Sequence, residues 1–384
     1  MRDLDAVCNP YRDDKVISAC AIFGMMDVSG ECFHGDKVFD AMENMQERGN
    51  GLGAGFAVYG LYPDNPDEYA FHIMFTSQFG RSAAEEFLNL RFRVGRSEEI
   101  PTRTLGRADE PIVWRYFVIP KSKFDSTADE EDYVAACVLQ INSEIPDAFV
   151  FSSGKNMGVF KGVGFPRDVC RFFELENYTG YIWTAHSRFP TNSQAWWGGA
   201  HPFCMLDWTV VHNGELSSYG ANRAYLETEG YKCTLFTDTE VMAYAVDLLM
   251  RRHGLSPELF ADVVAAPLWS EIDRMNDNDK AVHTALRSTY GGLLMNGPFA
   301  IVVANRNMMM ALTDRIRLRP LTCGTNGSRV YFSSEEAAIR FVSPELDNVW
   351  TPMGGVPVIS RLGELPMPSS STLRDFACCR EAAK

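Results

Sequence analysis

The sequence is short of basic residues and of long apolar runs, and each shortage excludes a class of function. Lys and Arg number 36 against 50 Asp and Glu, a formal net charge of −14 at neutral pH. A surface of that sign repels phosphate polymers, which argues against a nucleic-acid or anionic-membrane partner. No stretch reaches the roughly 18 to 20 apolar residues that a membrane-spanning helix needs. The longest apolar run near the start, Val16 to Met26, follows the mixed charges Arg2, Asp3, Asp5, Arg12, Asp13, Asp14 and Lys15. A secretory signal would instead show a basic start and an uninterrupted apolar core. The expected location is the cytoplasm.

Clustered cysteines are missing too. The 10 cysteines are spread along the chain without a Cys-x-x-Cys pair, so a zinc ribbon or an iron–sulfur run is excluded. Most read as small buried hydrophobes. Gly51, Gly53 and Gly55 do not fall in a G-x-G-x-x-G register, and no Lys-Ser/Thr follows. Close backbone packing explains them better than a phosphate cradle. There is no internal repeat and no low-complexity tract. What is present is ordinary globular composition, with 46% hydrophobic and 22% charged residues in 384, which excludes a disordered or coiled-coil chain.

Periodicity outlines the elements. Cys20 to Gly24 reads as a buried strand. Asp36 to Arg48 reads as a helix, with Val38, Phe39, Met42 and Met45 on one face. A Gly-rich strand covers 51–59. Helices are predicted over 82–92 and 128–141 and a strand over 111–119, with a hairpin from 148–152 and 159–162 and a polar excursion at 101–109. Further on, 181–186 and 208–212 read as strands that end in polar clusters. Thr237-Asp238-Thr239-Glu240 reads as a capping box opening a helix that Gly254 closes. Strands follow at 297–304 and 329–333, and Ser333-Ser334-Glu335-Glu336 is expected to cap a last helix. This order predicts an α+β or sandwich-type domain rather than a Rossmann fold.

Four polar clusters stand where strand-like runs end: Cys20 with Ala21 to Gly24, His186 to Asn192, His212-Asn213-Gly214-Glu215, and Thr237 to Glu240. With Gln46-Glu47-Arg48-Gly49, Ser152-Ser153, Phe160-Lys161-Gly162, Ala200-His201-Pro202-Phe203 and Asp314 to Pro320, they form an ordered set. That set resembles the class II glutamine amidotransferases, which are N-terminal-nucleophile hydrolases, and most of all the amidotransferase part of glutamate synthase. The resemblance covers roughly residues 20 to 345. It implies a four-layer αββα sandwich of two antiparallel sheets between helical layers.

The resemblance also implies roles, each with a physical reason. Cys20 would be the nucleophile, with its own α-amine as base. An α-amine of pKa about 7.7–8.0 beside a thiol of about 8.5 is poised near neutrality. Arg188 would clamp the α-carboxylate of L-glutamine through two parallel charge-assisted bonds. The Asn213 side-chain amide and the Gly214 N–H would form the oxyanion hole. Asp238 would accept hydrogen bonds from the substrate's α-ammonium, and Thr191 would add a substrate contact. His186, His201 and His212 read as scaffold, since their spacing is not that of a metal site on one helix.

Because 19 residues precede Cys20, its nitrogen is an amide until they are removed. The resemblance therefore implies a leader, 1–19, ahead of an amidotransferase domain over 20–360 with an embellishment near 64–150. A tail, 361–384, follows, in which the stretch from Pro366 to Ser371 is expected to be frayed rather than a docking segment. About 40 residues beyond the last predicted helix are too few for a second catalytic domain. The expectation is a glutaminase subunit that holds no cofactor or metal and passes ammonia to a separate synthase subunit carrying FMN and an iron–sulfur centre. Two alternatives stay open. One is an ammonia donor for another synthase, such as N-methylglutamate synthase, or a different hydrolase of the same class. The other is a non-catalytic glutamine-binding regulatory domain that keeps its leader.

Overall fold

The structure, a computed structural model, describes residues 19–189 and 195–368. Residues 1–18 of the expected leader, Thr191 and residues 369–384 lie outside the described residues.

Every residue of the strand Ala21–Asp27 is buried, because the strand lies inside a sheet that is covered on both faces. That sheet has seven strands in the order Asn348–Trp350, Thr322–Asn326, Arg329–Ser333, Ala21–Asp27, Ile182–Ser187, Ala54–Tyr59 and Met157–Gly162. A second sheet has five, in the order Phe203–Met205, Trp208–Gly214, Phe299–Asn305, Met308–Thr313 and Val358–Arg361. Neighbours in both sheets pair antiparallel.

The two sheets pack face to face. A Cβ on Gly24 would stand 2.8 Å from Met309 Sδ and 3.2 Å from Val302 Cγ1, and the Tyr59 hydroxyl crosses the gap to Thr209 Oγ1 and Ala304 O, each at 2.8 Å. Alternation then divides the five-stranded sheet. Ala300, Val302 and Ala304 join the core between the sheets. Phe299, Ile301 and Val303 join a second core under the helices Tyr219–Thr228, Asp238–Val246 and Pro257–Val264. The helices Asp36–Asn44, Pro166–Phe172 and Glu336–Val342 cover the outer face of the seven-stranded sheet. These are the four layers, αββα, that the resemblance implies.

Residues 69–152 build a further four-stranded antiparallel sheet, in the order Phe92–Glu99, Ile112–Pro120, Tyr69–Phe75 and Ala148–Ser152. The helices Gln78–Arg91 and Thr127–Glu144 pack against it. Here the expected hairpin is corrected. Ala148–Ser152 pairs with Tyr69–Phe75, whereas Met157–Gly162 pairs with Ala54–Tyr59. The connection turns through Asn156, at φ 51°, and the Val159 N–H is satisfied by Ser152 Oγ at 3.1 Å, so the chain changes sheets without a hairpin ladder. Among the described residues no helix is long and apolar enough to cross a membrane.

The Gly-rich strand illustrates how tightly the layers close. A Cβ on Gly55 would collide with the backbone carbonyl of His201 and stand 2.7 Å from that of Phe160. Backbone cannot rotate aside as a side chain can, so Gly55→Ala is expected to cost about 1–3 kcal/mol. A lowered urea midpoint at unchanged slope would show it.

Candidate active site

Strand register assembles the site. Ile22 pairs with His186, His186 with Gly55, and Gly55 with Lys161, a row that crosses the seven-stranded sheet on its inward face. Side chains alternate along a strand, so Cys20 and Arg188, two residues further along their strands, reach the same inward side at the sheet's end. Arg188 N donates to Gly53 O at 2.8 Å, which continues the row. From the facing sheet the strand Trp208–Gly214 ends opposite, and His186 Nε2 meets His212 O at 3.0 Å.

Cys20 is half-buried. Its Sγ accepts a hydrogen bond from the Phe189 N–H at 3.3 Å, and its carbonyl oxygen accepts one from Arg48 Nε at 3.2 Å. Arg48 is held in turn by Glu335 at 2.7 Å. Burial pushes the Cys20 thiol up; the Phe189 N–H and the Arg188 and Arg319 charges oppose that rise, while Asp238 adds to it. A thiol held up in this way needs a base to become a nucleophile. Arg188 is only 4% exposed, and burial lowers its pKa against the pull of Cys20 and Asp238.

Asn213 is fully buried, and its Nδ2 donates to Ser334 Oγ at 3.3 Å. The same hydroxyl accepts the Ile22 N–H at 3.1 Å. One serine thus ties the strand after Cys20 to the strand bearing Asn213. The amide nitrogen carries a second hydrogen that can serve an oxyanion. Gly214 sits at φ +155°, and a Cβ there would overlap the Pro298 carbonyl oxygen and stand 2.8 Å from Phe299 Cα; only glycine fits.

Asp238 opens the helix Asp238–Val246. Its Oδ2 accepts the Leu216 N–H at 3.0 Å, and its Oδ1 lies 3.5 Å from His212 Nδ1. Burial alone would raise its pKa, but His212, the Leu216 N–H and the Thr239 hydroxyl hold the carboxylate below its usual range. The expected capping box does not form, because the Thr237 side chain makes no capping bond. Residues 234–235 fold back over the helix start, and Glu240 spends its carboxylate on the N–H groups of Thr234 at 3.0 Å and Leu235 at 2.9 Å. The expected serine cap of the last helix is likewise absent, since the helix Glu336–Val342 begins after an uncapped Glu335 and Ser334 is taken up by the site.

The structure therefore brings Cys20, Arg188, Asn213, Gly214 and Asp238 to one place, while Thr191 lies outside the described residues. Over residues 76–347 the chain matches the family of class II glutamine amidotransferases, which is more than half its length. The chain belongs to that family.

Among its relatives, an uncharacterised protein of Archaeoglobus fulgidus is 56% identical over 91% of this chain and 94% of its own. A glutamine amidotransferase-like protein, GlxB, of Rhizobium meliloti is 28% identical over 54% of this chain and 60% of its own. An amidophosphoribosyltransferase of Methanocaldococcus jannaschii is 25% identical over 56% of this chain and 40% of its own.

Within this amidotransferase, Ser334, Arg48 and Arg319 are site neighbours that sequence reasoning missed. Arg48 and Arg319 lie in motifs already singled out, but nothing local signals that they turn toward Cys20. His186, His201 and His212 are all buried, and burial with Arg188 nearby lowers His186 to about 3. Among the described residues no cluster of three or more His, Cys, Asp or Glu could hold a metal ion.

Lys161 is also buried, 1% exposed, with its ammonium 4.3 Å from the centre of the Phe203 ring. Burial lowers it to about 7, against partial support from Cys204 and Glu240. Glu240 is pushed up to about 7, chiefly by burial.

Two outcomes follow from this geometry. Asn213→Ala should lower kcat for glutamine hydrolysis by about 10²–10³ with little change in KM, since an oxyanion donor acts in the transition state. Steady-state ammonia release reads this split. Between pH 7 and the ordinary lysine value the unfolded chain carries a proton on Lys161 that the folded chain sheds, so this residue makes stability rise with pH there. From pH 7 to 8 the native protein should gain about 1 kcal/mol relative to Lys161→Met, read from paired urea titrations.

Proposed function

We propose that this chain hydrolyses L-glutamine to L-glutamate and ammonia through a thioester on Cys20, and passes the ammonia to a separate synthase subunit of the glutamate synthase type. The observation that carries the reading is the meeting of Cys20, Arg188 and Asp238 with the Asn213–Gly214 strand end, where the two sheets face each other. The Arg188 cation and the Asp238 carboxylate near the thiol match the two charges of an amino acid's α-carbon.

The chemistry runs from that arrangement. Removal of the leader frees the Cys20 α-amine, which takes the thiol proton as Sγ bonds to the glutamine side-chain carbonyl carbon. The oxyanion is held by the Asn213 amide and the Gly214 N–H. As the tetrahedral intermediate collapses, the C–N bond breaks and the amine's proton goes to the departing ammonia, leaving a thioester. Water then attacks the thioester carbon, and glutamate leaves as sulfur regains a proton. Arg188 holds the α-carboxylate and Asp238 the α-ammonium throughout. FMN and iron–sulfur chemistry would belong to the synthase subunit, with both proteins in the cytoplasm. The resemblance of these motifs to the amidotransferase part of glutamate synthase favours this acceptor, and N-methylglutamate synthase stays the alternative.

Protein made in its own cells should contain a species whose first residue is Cys20, seen by intact mass and N-terminal sequencing. It should release ammonia from glutamine, and Cys20→Ala should abolish that release. A full-length mass without such a species, together with tight glutamine binding and no ammonia, would favour the regulatory reading. Conversion of 2-oxoglutarate and glutamine to glutamate by the isolated chain would overturn the division between subunits.

A further inference from the structure

The segment Asp314 to Pro320 is a motif that the proposed chemistry leaves without a role. Asp314 is 3% exposed, and its carboxylate accepts the N–H groups of Phe299 at 3.2 Å, Ile316 at 3.1 Å and Leu318 at 2.9 Å. The Arg317 N–H adds a bond to the Asp314 carbonyl at 2.9 Å. This turn is pinned at its base, and it projects Ile316 and Leu318 outward, 64% and 57% exposed.

Arg319 comes next, with its Nε buried and without a hydrogen-bond partner. An unpaired buried guanidinium N–H is costly and persists where a site needs the charge.

The ladder shows which site. Thr322 pairs with Ser333 in the strand Arg329–Ser333, which lies beside Ala21–Asp27, and Ser334 receives the Ile22 N–H. Residues just before Thr322 therefore emerge at the Cys20 end of the sheet. The Arg319 charge is felt at the Cys20 thiol, alongside that of Arg188.

We infer that Arg319 is a positioning residue for Cys20: a second cation, separate from the glutamine clamp at Arg188, held by the Asp314 turn to favour the reactive forms of the nucleophile. A nearby positive charge eases loss of the thiol proton and keeps the α-amine in its free, basic form, and the proposed transfer of the thiol proton to that amine uses both effects. The other charged or titratable groups around Cys20 are Arg188, Asp238 across the cleft, the Arg48–Glu335 pair behind its carbonyl, and His186 and His212 between the sheets. Only Arg319 approaches from the 314–320 turn. The inference rests on the reading of Cys20 as nucleophile.

The test is the pH dependence of Cys20 alkylation by iodoacetamide, followed by mass spectrometry on protein that begins at Cys20. In Arg319→Gln the midpoint should move alkaline by about one pH unit, and kcat at pH 7 should fall about tenfold with KM for glutamine within about twofold. Arg319→Lys, which keeps the charge, should keep the native midpoint. A profile for Arg319→Gln that superimposes on the native one overturns the inference, as does a raised KM with an unmoved midpoint, which would make Arg319 a substrate clamp. Should the glutamine variant fail to fold, Arg319→Met is read in the same way: an alkaline midpoint supports the role, and a native one overturns it. If native Cys20 is not alkylated with loss of ammonia release, the nucleophile reading and this inference fall together. A normal native profile confines the failure to Arg319.

Discussion

The ladder between Ala21–Asp27 and Ile182–Ser187 is the constraint on which the candidate site depends. It pairs Ala21 with Ser187 and Ile22 with His186, so the residues just beyond, Cys20 and Arg188, end on the same face. A slip of one residue would send one of them through the sheet to the helical side. Burial prevents that slip. Ile22 and Phe23 are both fully buried on opposite faces, and the Trp183 ring packs against Phe39 of the covering helix at 5.7 Å. Exchanging faces would force large side chains into spaces shaped for others, among them Gly24 against Met309.

The site is a place where two sheets stop rather than a feature of any single element. Ser334, just past the end of the neighbouring strand Arg329–Ser333, bonds to both Ile22 and Asn213 and so links the nucleophile's strand to the strand of the opposite sheet. Around this junction the molecule tolerates buried ionisable groups that a simple core would exclude. Lys161, Glu240, His186 and His201 all lie inside, and burial moves each toward its neutral form. Burial thus weakens the charge these groups carry, while Arg188, Arg319 and Asp238 act on the Cys20 thiol.

Much of this was legible in the chain. Runs such as Trp208 to His212 are apolar and end in polar clusters because strands cross the core and stop at its edge. The helix over Asp36–Asn44 shows its apolar face at helical spacing. The misreadings share a cause. The predicted hairpin, the capping box at Thr237 and the serine cap before Glu336 were all local rules; strands distant in sequence took the pairing of the hairpin and the bonds of Ser334, while Glu240 turned to the nearby N–H groups of Thr234 and Leu235. Ser152 satisfies Val159 across a change of sheet, and Ser334 serves residues more than a hundred positions away. The strand Tyr69–Phe75 gave no alternating signal because it is buried on both faces.

By itself the sequence determined the inventory: a nucleophile candidate at a strand's start, an arginine, an Asn-Gly pair and an aspartate, each at the end of an apolar run, in an order that identifies the family. Such assignments survive without coordinates because side-chain chemistry and short-range periodicity are written residue by residue. Only the tertiary structure decided which further groups join them. Arg48 reaches the Cys20 carbonyl, and Ser334 and Arg319 come to the same end of the sheet, because of how the sheets are ordered and paired, and pairing between segments hundreds of residues apart is set by the packing of the whole core.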